Sequence, residues 1–196
     1  MILFDDHIWD FDLSQALAQV SAQRRTHALR YRLERDQRLS VAAYRLLQRA
    51  LLEQYGIDKA PQFIFNAAGK PLLDNHPDIH FSLSHCNDAV ACAVSDRPVG
   101  IDVETIDHYS QELAEEVMNE SEMQQILTSS QPAIAFARLW TMKESLYKLT
   151  GDDHDGDIRH MLHQASNFHF TTINQPRLTV TLCSTEVPNL NEFIKL

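Results

Sequence analysis

Between residues 14 and 55, Leu29, Leu33, Val41, Tyr44, Leu47, Leu51 and Leu52 recur near every 3.6 positions. That spacing predicts helix, with Gly56 as its stop. The pattern then changes. Phe63-Ile64-Phe65 reads as a short strand, and "NAAGKPLL" as a turn in which Gly69 and Pro71 flank Lys70. "IHFSLSH" alternates Ile79, Phe81 and Leu83 with polar residues, as a strand does. "AVACAVS" and "VGIDVE" are two more strands, and Asp96-Arg97-Pro98 between them predicts a hairpin. Residues 111–130 are predicted helical. Pro132 suits the first turn of a further helix reaching Thr150, with Gly151 as its cap. "FHFTTINQPRLTVTLC" reads as two strands around Asn174-Gln175-Pro176. Helix, strands, helices, strands is the order of an α+β fold rather than of alternating βαβ units.

The chain has 196 residues, one large domain or two small halves sharing a core, and 44% of them are hydrophobic. With 17 basic and 27 acidic residues the net charge is −10. That argues against general nucleic-acid binding, which requires positive charge to displace counterions. A local basic pocket for a small phosphorylated ligand stays open. Six arginines (24, 25, 30, 32, 35 and 38) crowd the first helical region, and most are expected on a solvated face. Cys86, Cys92 and Cys183 are odd in number and form no C-x-x-C pair, so a reducing compartment fits better than a disulfide framework. The start, "MILFDDHIWDF", is acidic where a signal peptide is basic. No apolar run approaches the roughly 20 residues of a membrane span. The expectation is a soluble cytoplasmic protein without a membrane partner.

Three segments offer chemistry. In "GIDVE", Asp102 and Glu104 lie two apart on a strand and share a face. Adjacent carboxylates repel unless a cation or proton lies between them, and a hard divalent ion, Mg²⁺ first, suits oxygen ligands. Gly100 is expected to let a ligand approach the backbone. The same pattern also fits an outer strand with its acids toward water. In "LWTMKESLYKLTG", Trp140, Glu144 and Lys148 form one stripe at i, i+4, i+8, and Lys143 sits beside Glu144. Glu144 and Lys148 could equally be a surface pair. Leu139 and Trp140 argue for partial burial, however, and a buried acid needs a partner. Ser84-His85 ends a strand. Sequence neighbours do not make a catalytic triad, but the two could donate to a phosphate. No common nucleotide-binding loop occurs. In "GDDHDGD" (151–157) the first and twelfth loop positions would be Gly151 and Leu162, which rules out an EF-hand and leaves an acidic loop. His160 and His163 lack an evident third ligand, so no metal is assigned to them.

Taken in order, "GKP" (69–71), "FSLSH" (81–85), "GIDVE" (100–104) and "WTMKESLYKLTG" (140–151) resemble the 4′-phosphopantetheinyl transferase superfamily, marked by G-x-D-x-E and a later W-x-x-K-E-x-x-x-K. The match is strong over about residues 60–151. "GKP" and "SLSH" ahead of "GIDVE" make it similar to the larger Sfp-type members rather than to the short trimeric synthases. The resemblance implies two similar α+β halves, 1–99 and 100–196, related by a pseudo-twofold axis with coenzyme A between them. It implies transfer of the phosphopantetheine arm to a serine of an apo acyl, peptidyl or aryl carrier protein, with release of 3′,5′-ADP. By the same resemblance Asp102, Glu104 and Glu144 would hold Mg²⁺. Glu144 or a water would take the serine proton, with Asp102 and Lys148 the other catalytic groups. Lys70, Ser84, His85, Lys143 and Lys148, with Arg24, Arg25 and Arg38, would contact coenzyme A. A monomer serving fatty-acid, polyketide or peptide synthesis is implied. Ser82 stands where many relatives have asparagine. The competing readings are a metal-dependent phosphohydrolase or nucleotidyl transferase, and a non-catalytic coenzyme A- or carrier-binding module.

Overall fold

A computed structural model describes residues 1–151, 157–188 and 193–195. The acidic stretch after Gly151 therefore lies, as far as residue 156, outside the described residues. The first strand, β1 (Ile2–Asp5), is followed by three helices, α1 (Leu13–Gln19), α2 (Ala22–Ala28) and α3 (Glu34–Tyr55). The continuous helical pattern expected over 14–55 is thus broken twice. A serine cap makes the first break, before α2, and a backbone turn after Ala28 makes the second, since Leu33 ahead of α3 gives no side-chain cap. Asp12 caps α1 by accepting from the Gln15 N–H, and Ser21 caps α2 by accepting from the Arg24 N–H. Only α3 is long, and it ends at Gly56 with φ 67°, as the sequence predicts.

The strands β2 (Phe63–Phe65) and β3 (Pro71–Leu73) pair as a small hairpin, so part of the expected "GKP" turn is strand. Next come β4 (His80–His85), β5 (Val90–Ser95) and β6 (Val99–Thr105). The hairpin predicted between β5 and β6 does not form. Both edges of β5 are already taken, by β4 and by β1, and β6 instead starts a second sheet. Then follow α4 (Gln111–Val117), α5 (Glu120–Thr128), α6 (Pro132–Thr150), β7 (His169–Asn174), β8 (Leu178–Ser184) and β9 (Phe193–Lys195). Asn119 and Glu122 form a capping box that splits the helix expected over 111–130.

The two sheets repeat one plan. The first has the order β4-β5-β1-β9 and the second β6-β8-β7. In each, a strand is followed by a long helix (α3 or α6) and an antiparallel strand pair whose second member lies beside the opening strand. The sheets share a core in which Ala89, Ala91 and Ala93 meet Ile101, Val103, Val180 and Leu182. Between β4 and β6 side chains replace a backbone ladder. Ser82 Oγ accepts from the Ile101 N–H at 3.0 Å and Ser84 Oγ from the Val103 N–H at 3.3 Å. Ser82 therefore joins the halves here.

Helix α6 lies against β6 at close range. A Cβ on Gly100 would fall 1.9 Å from the Ser145 carbonyl oxygen and 2.7 Å from the Leu149 nitrogen. The space expected for a ligand is filled by a helix backbone. A buried chain of hydroxyls, Thr141 to Thr181 (2.7 Å) to Thr172 (2.9 Å), continues the contact onto β8 and β7. Lys143, expected among the coenzyme A contacts, faces away from β6. It is fully buried, pairs with buried Glu122 at 2.7 Å and donates to the carbonyls of Val117 and Ile158, each at 2.9 Å. Its donors tie α4, α5 and the 3₁₀ segment Ile158–Gln164 to α6.

Two stability predictions follow from these contacts. Gly100→Ala overpacks a backbone-to-backbone contact and should destabilise by about 3 kcal/mol or more, read by urea unfolding. Lys143→Ala leaves Glu122 buried without its cation and should cost about 3–5 kcal/mol. Lys143→Met with Glu122→Gln together should recover part of that loss.

Candidate active site

The conserved plan of the halves brings β4, β6 and the C-terminal turns of α6 to one place. Asp102, from the middle of β6, is buried with its carboxylate against α6. Its Oδ1 accepts from Ser84 Oγ at 2.7 Å and from Lys148 Nζ at 2.5 Å. Lys148 Nζ also donates to Ser84 Oγ at 2.8 Å. Ser84, Asp102 and Lys148 form a closed triangle with one residue from each of three elements. Burial pushes the Asp102 pKa up, while Lys148 and Ser84 pull it back and Glu104 adds to the rise.

Glu144 stands one turn before Lys148 and is partly buried. Its pKa is raised, first by burial and then by the charges of Asp102 and Glu104, with Lys148 opposing. Trp140, one turn earlier, stacks on Phe136 at 6.3 Å and anchors that stripe. Glu104 shares the Asp102 face but bends toward its own strand end. One oxygen accepts from the Thr105 N–H at 2.7 Å and the other lies 3.1 Å from His108 Nδ1. The three acids are near enough to feel each other but are not drawn into one ligand shell. Among the described residues, the only trio of such groups with ligand atoms within 4.8 Å is Asp5, Asp6 and His7, at another surface. The donor set of Asp102, Glu104 and Glu144 still fits a hard divalent cation. All donors are oxygens, and two of the acids carry charge that burial and mutual repulsion disfavour.

Beside the triangle a cavity of about 250 Å³ opens between the halves, lined by Lys70, Pro71, Phe81, Leu83, Tyr147 and Lys148. Lys70 Nζ does not point freely into it. It donates to the carbonyls of Lys148 (2.6 Å) and Leu149 (3.1 Å), groups left over at the end of α6. His85, which follows Ser84 at the end of β4, is solvent-exposed. Its pKa is lowered by the surrounding protein and by Lys148, and it also senses Arg24 and Asp36.

The arginines divide. Arg24 lies over the rings of Tyr44 (5.2 Å) and Phe63 (5.4 Å), and its Nη1 donates to Ser40 Oγ at 3.2 Å. Its buried Nε has no acceptor. Arg25 and Arg38, expected at the ligand, are engaged elsewhere. Arg25 donates to the carbonyls of Leu17 and Ala18. Arg38 donates to the Phe11 carbonyl, pairs with Glu34 and covers Trp9 and Phe11. Both pin the segment before α2. Sequence reading missed Ser40, His27 and Tyr147. His27 Nδ1 is 3.4 Å from Ser40 Oγ. A signal for Ser40 existed: a buried serine among the apolar residues of α3, one turn before Tyr44.

A sequence model described as the 4′-phosphopantetheinyl transferase superfamily matches residues 98–194. The chain is 39% identical over 138 residues to the 4′-phosphopantetheinyl transferase psf-1 of Bacillus pumilus, covering 67% of this chain and 58% of that one. It is 34% identical over 151 residues to the transferase gsp of Aneurinibacillus migulanus, covering 75% and 61%. With Sfp of Bacillus subtilis strain 168 it shares 30% over 135 residues, 67% and 60% of the two chains. The matched stretches thus span about three fifths of these relatives. The motifs on β4, β6 and α6 and these similarities together place the chain in the 4′-phosphopantetheinyl transferase superfamily, beside its Sfp-like members.

Proposed function

We propose that this protein transfers the 4′-phosphopantetheine arm of coenzyme A to a serine of an apo acyl, peptidyl or aryl carrier protein. The observation that carries the reading is the Ser84–Asp102–Lys148 triangle with Glu144 beside it, at the mouth of a cleft between two like halves. The serine oxygen forms a bond to the β-phosphorus, the bond from that phosphorus to the bridging oxygen breaks, and 3′,5′-ADP leaves. Asp102, Glu104 and Glu144 would hold Mg²⁺, which neutralises pyrophosphate charge when bound. Glu144 has the raised basicity to take the serine proton, directly or through a water. Lys148, partly exposed toward the cleft, offsets charge that grows on the phosphate oxygens. Arg24, with its unfilled Nε, supplies a cation for the nucleotide phosphates, and His85, whose pKa burial lowers, supplies a ring N–H donor. Lys70 at the cavity wall supports the same ligand from the end of α6.

The halves 1–99 and 100–196 both contribute, so one chain holds the full residue set and a monomer should suffice. No helix among the described residues is long and apolar enough to cross a membrane. The three cysteines are free and buried, which agrees with a cytoplasmic reaction serving fatty-acid, polyketide or peptide synthesis.

Intact-mass analysis of apo-carriers incubated with coenzyme A, Mg²⁺ and this protein should show addition of phosphopantetheine and formation of 3′,5′-ADP. Free phosphopantetheine without carrier modification would instead indicate a phosphohydrolase. Glu144→Gln at saturating Mg²⁺ should keep a deficit of about 10²–10⁴-fold in turnover; full rescue by metal would limit Glu144 to ligation. Because the Glu144 pKa is raised, its basic form is lost at a higher pH than for an ordinary glutamate. Turnover should fall as pH drops through that value, and Glu144→Gln should lack this limb of the profile.

A further inference from the structure

The connection between α2 and α3 carries a surface that the fold does not use. Leu29, Tyr31 and Leu33 are 55%, 37% and 59% exposed, although the four-residue spacing of Leu29 and Leu33 predicts the buried face of a helix. Arg30 and Arg32 alternate with them and are exposed, and their side chains make no hydrogen bond or ion pair among the described residues. The strip is not loose. The Arg30 and Tyr31 N–H groups donate to the His27 and Ala28 carbonyls at 3.2 Å, Gln37 Nε2 donates to the Tyr31 carbonyl at 2.8 Å, and Ala28 beneath is fully buried. A fixed turn thus presents Leu-Arg-Tyr-Arg-Leu outward.

Its charge is equally out of character. Residues 24–38 hold six arginines and two acids, in a chain with 17 basic and 27 acidic residues overall. The strip also borders the site. The Tyr31 ring meets His27 edge-on at 5.6 Å, His27 lies 3.4 Å from Ser40, and Ser40 is bonded to Arg24. Arg24 and Lys148 are both charges that His85 senses.

We infer that the exposed turn Leu29–Leu33 is a docking surface for the carrier protein, receiving an acidic helix whose apolar side chains meet Leu29, Tyr31 and Leu33. This rests on the transfer reaction proposed above. Charge complementarity favours this partner: carrier proteins are acidic, and most of this protein repels an acidic partner. Arg30 and Arg32 are unspent cations beside unspent apolar area, the combination that anchors interfaces.

The test uses the whole chain and an apo acyl carrier protein, with binding and turnover measured separately. Arg30→Glu with Arg32→Glu should weaken carrier binding in calorimetry about 10-fold or more. The salt dependence of carrier KM should flatten. Coenzyme A affinity and thermal unfolding should be unchanged. Leu33→Ser should weaken carrier binding without altering salt dependence, and Arg30→Gln with Arg32→Gln should give an intermediate loss. Wild-type carrier affinity retained in the charge-reversed protein would overturn the assignment, as would an equal loss of coenzyme A binding. So would wild-type binding to anionic phosphatidylserine vesicles with none to the carrier. If the wild type binds the carrier through this turn but never modifies it, the docking surface stands and the transferase reading fails.

Discussion

Everything at the site depends on how one buried carboxylate is tolerated. Asp102 sits in the middle of a strand whose other side chains form the core between two sheets. Burying its charge would cost several kcal/mol without a partner. The partner, Lys148, comes from a helix that must lie close enough for the ammonium to reach. Gly100 gives that approach, since any larger residue would strike the Ser145 and Leu149 backbone. The same contact fixes the rotation of α6, so that Glu144, four residues earlier, faces the same place. Ser84 closes the triangle while taking the Val103 N–H, and so makes the electrostatic solution part of the joint between the halves.

The end of that helix is held from the other half. Lys70 binds two carbonyls of the last turn, and Gly151 closes it with φ 69°. A cation at a helix C-terminus is favourable in itself. Here it also ties the β2–β3 hairpin to the helix that carries Lys148. Capping the helix and lining the cavity are therefore not separate roles for Lys70. A phosphate near its ammonium would act on a group already bonded to the Lys148 backbone.

What could be read in the sequence was whatever local spacing decides. Pro132, Gly151 and the Trp140–Glu144–Lys148 stripe all follow from helical geometry, and Asp102 and Glu104 from strand alternation. Lys143 shows the limit. It is five residues from Lys148, about 140° around the helix, so the two lysines cannot serve one site. Which of them faces the cleft is settled by Glu122, on a different helix. The β5–β6 turn has suitable residues for a hairpin, yet pairing depends on which sheet edge is free, a property of the whole topology. Leu29 and Leu33 fit a buried helical period, but Ser21 and the turn after Ala28 break that helix first. Gly100 was visible as a place of close approach; its neighbour was a helix rather than a ligand.

Charge placement follows from the same economy of contacts. An acidic chain cannot attract an anion through its net field. It relies on cations that the fold has already fixed: Lys148 by Asp102, Lys70 by a helix end, Arg24 by two aromatic faces and Ser40. Each is held by groups that leave some bonding capacity over, and Arg24 Nε has no acceptor at all. Preplaced donors need little reordering when an anion arrives, which is where binding energy is otherwise lost. The arginines that fold the segment before α2, Arg25 and Arg38, spend their donors on carbonyls and an acid instead. Within one run of six arginines, the donors thus separate Arg24, Arg25 and Arg38, which are bonded within the fold, from Arg30 and Arg32, whose side chains make no bond among the described residues.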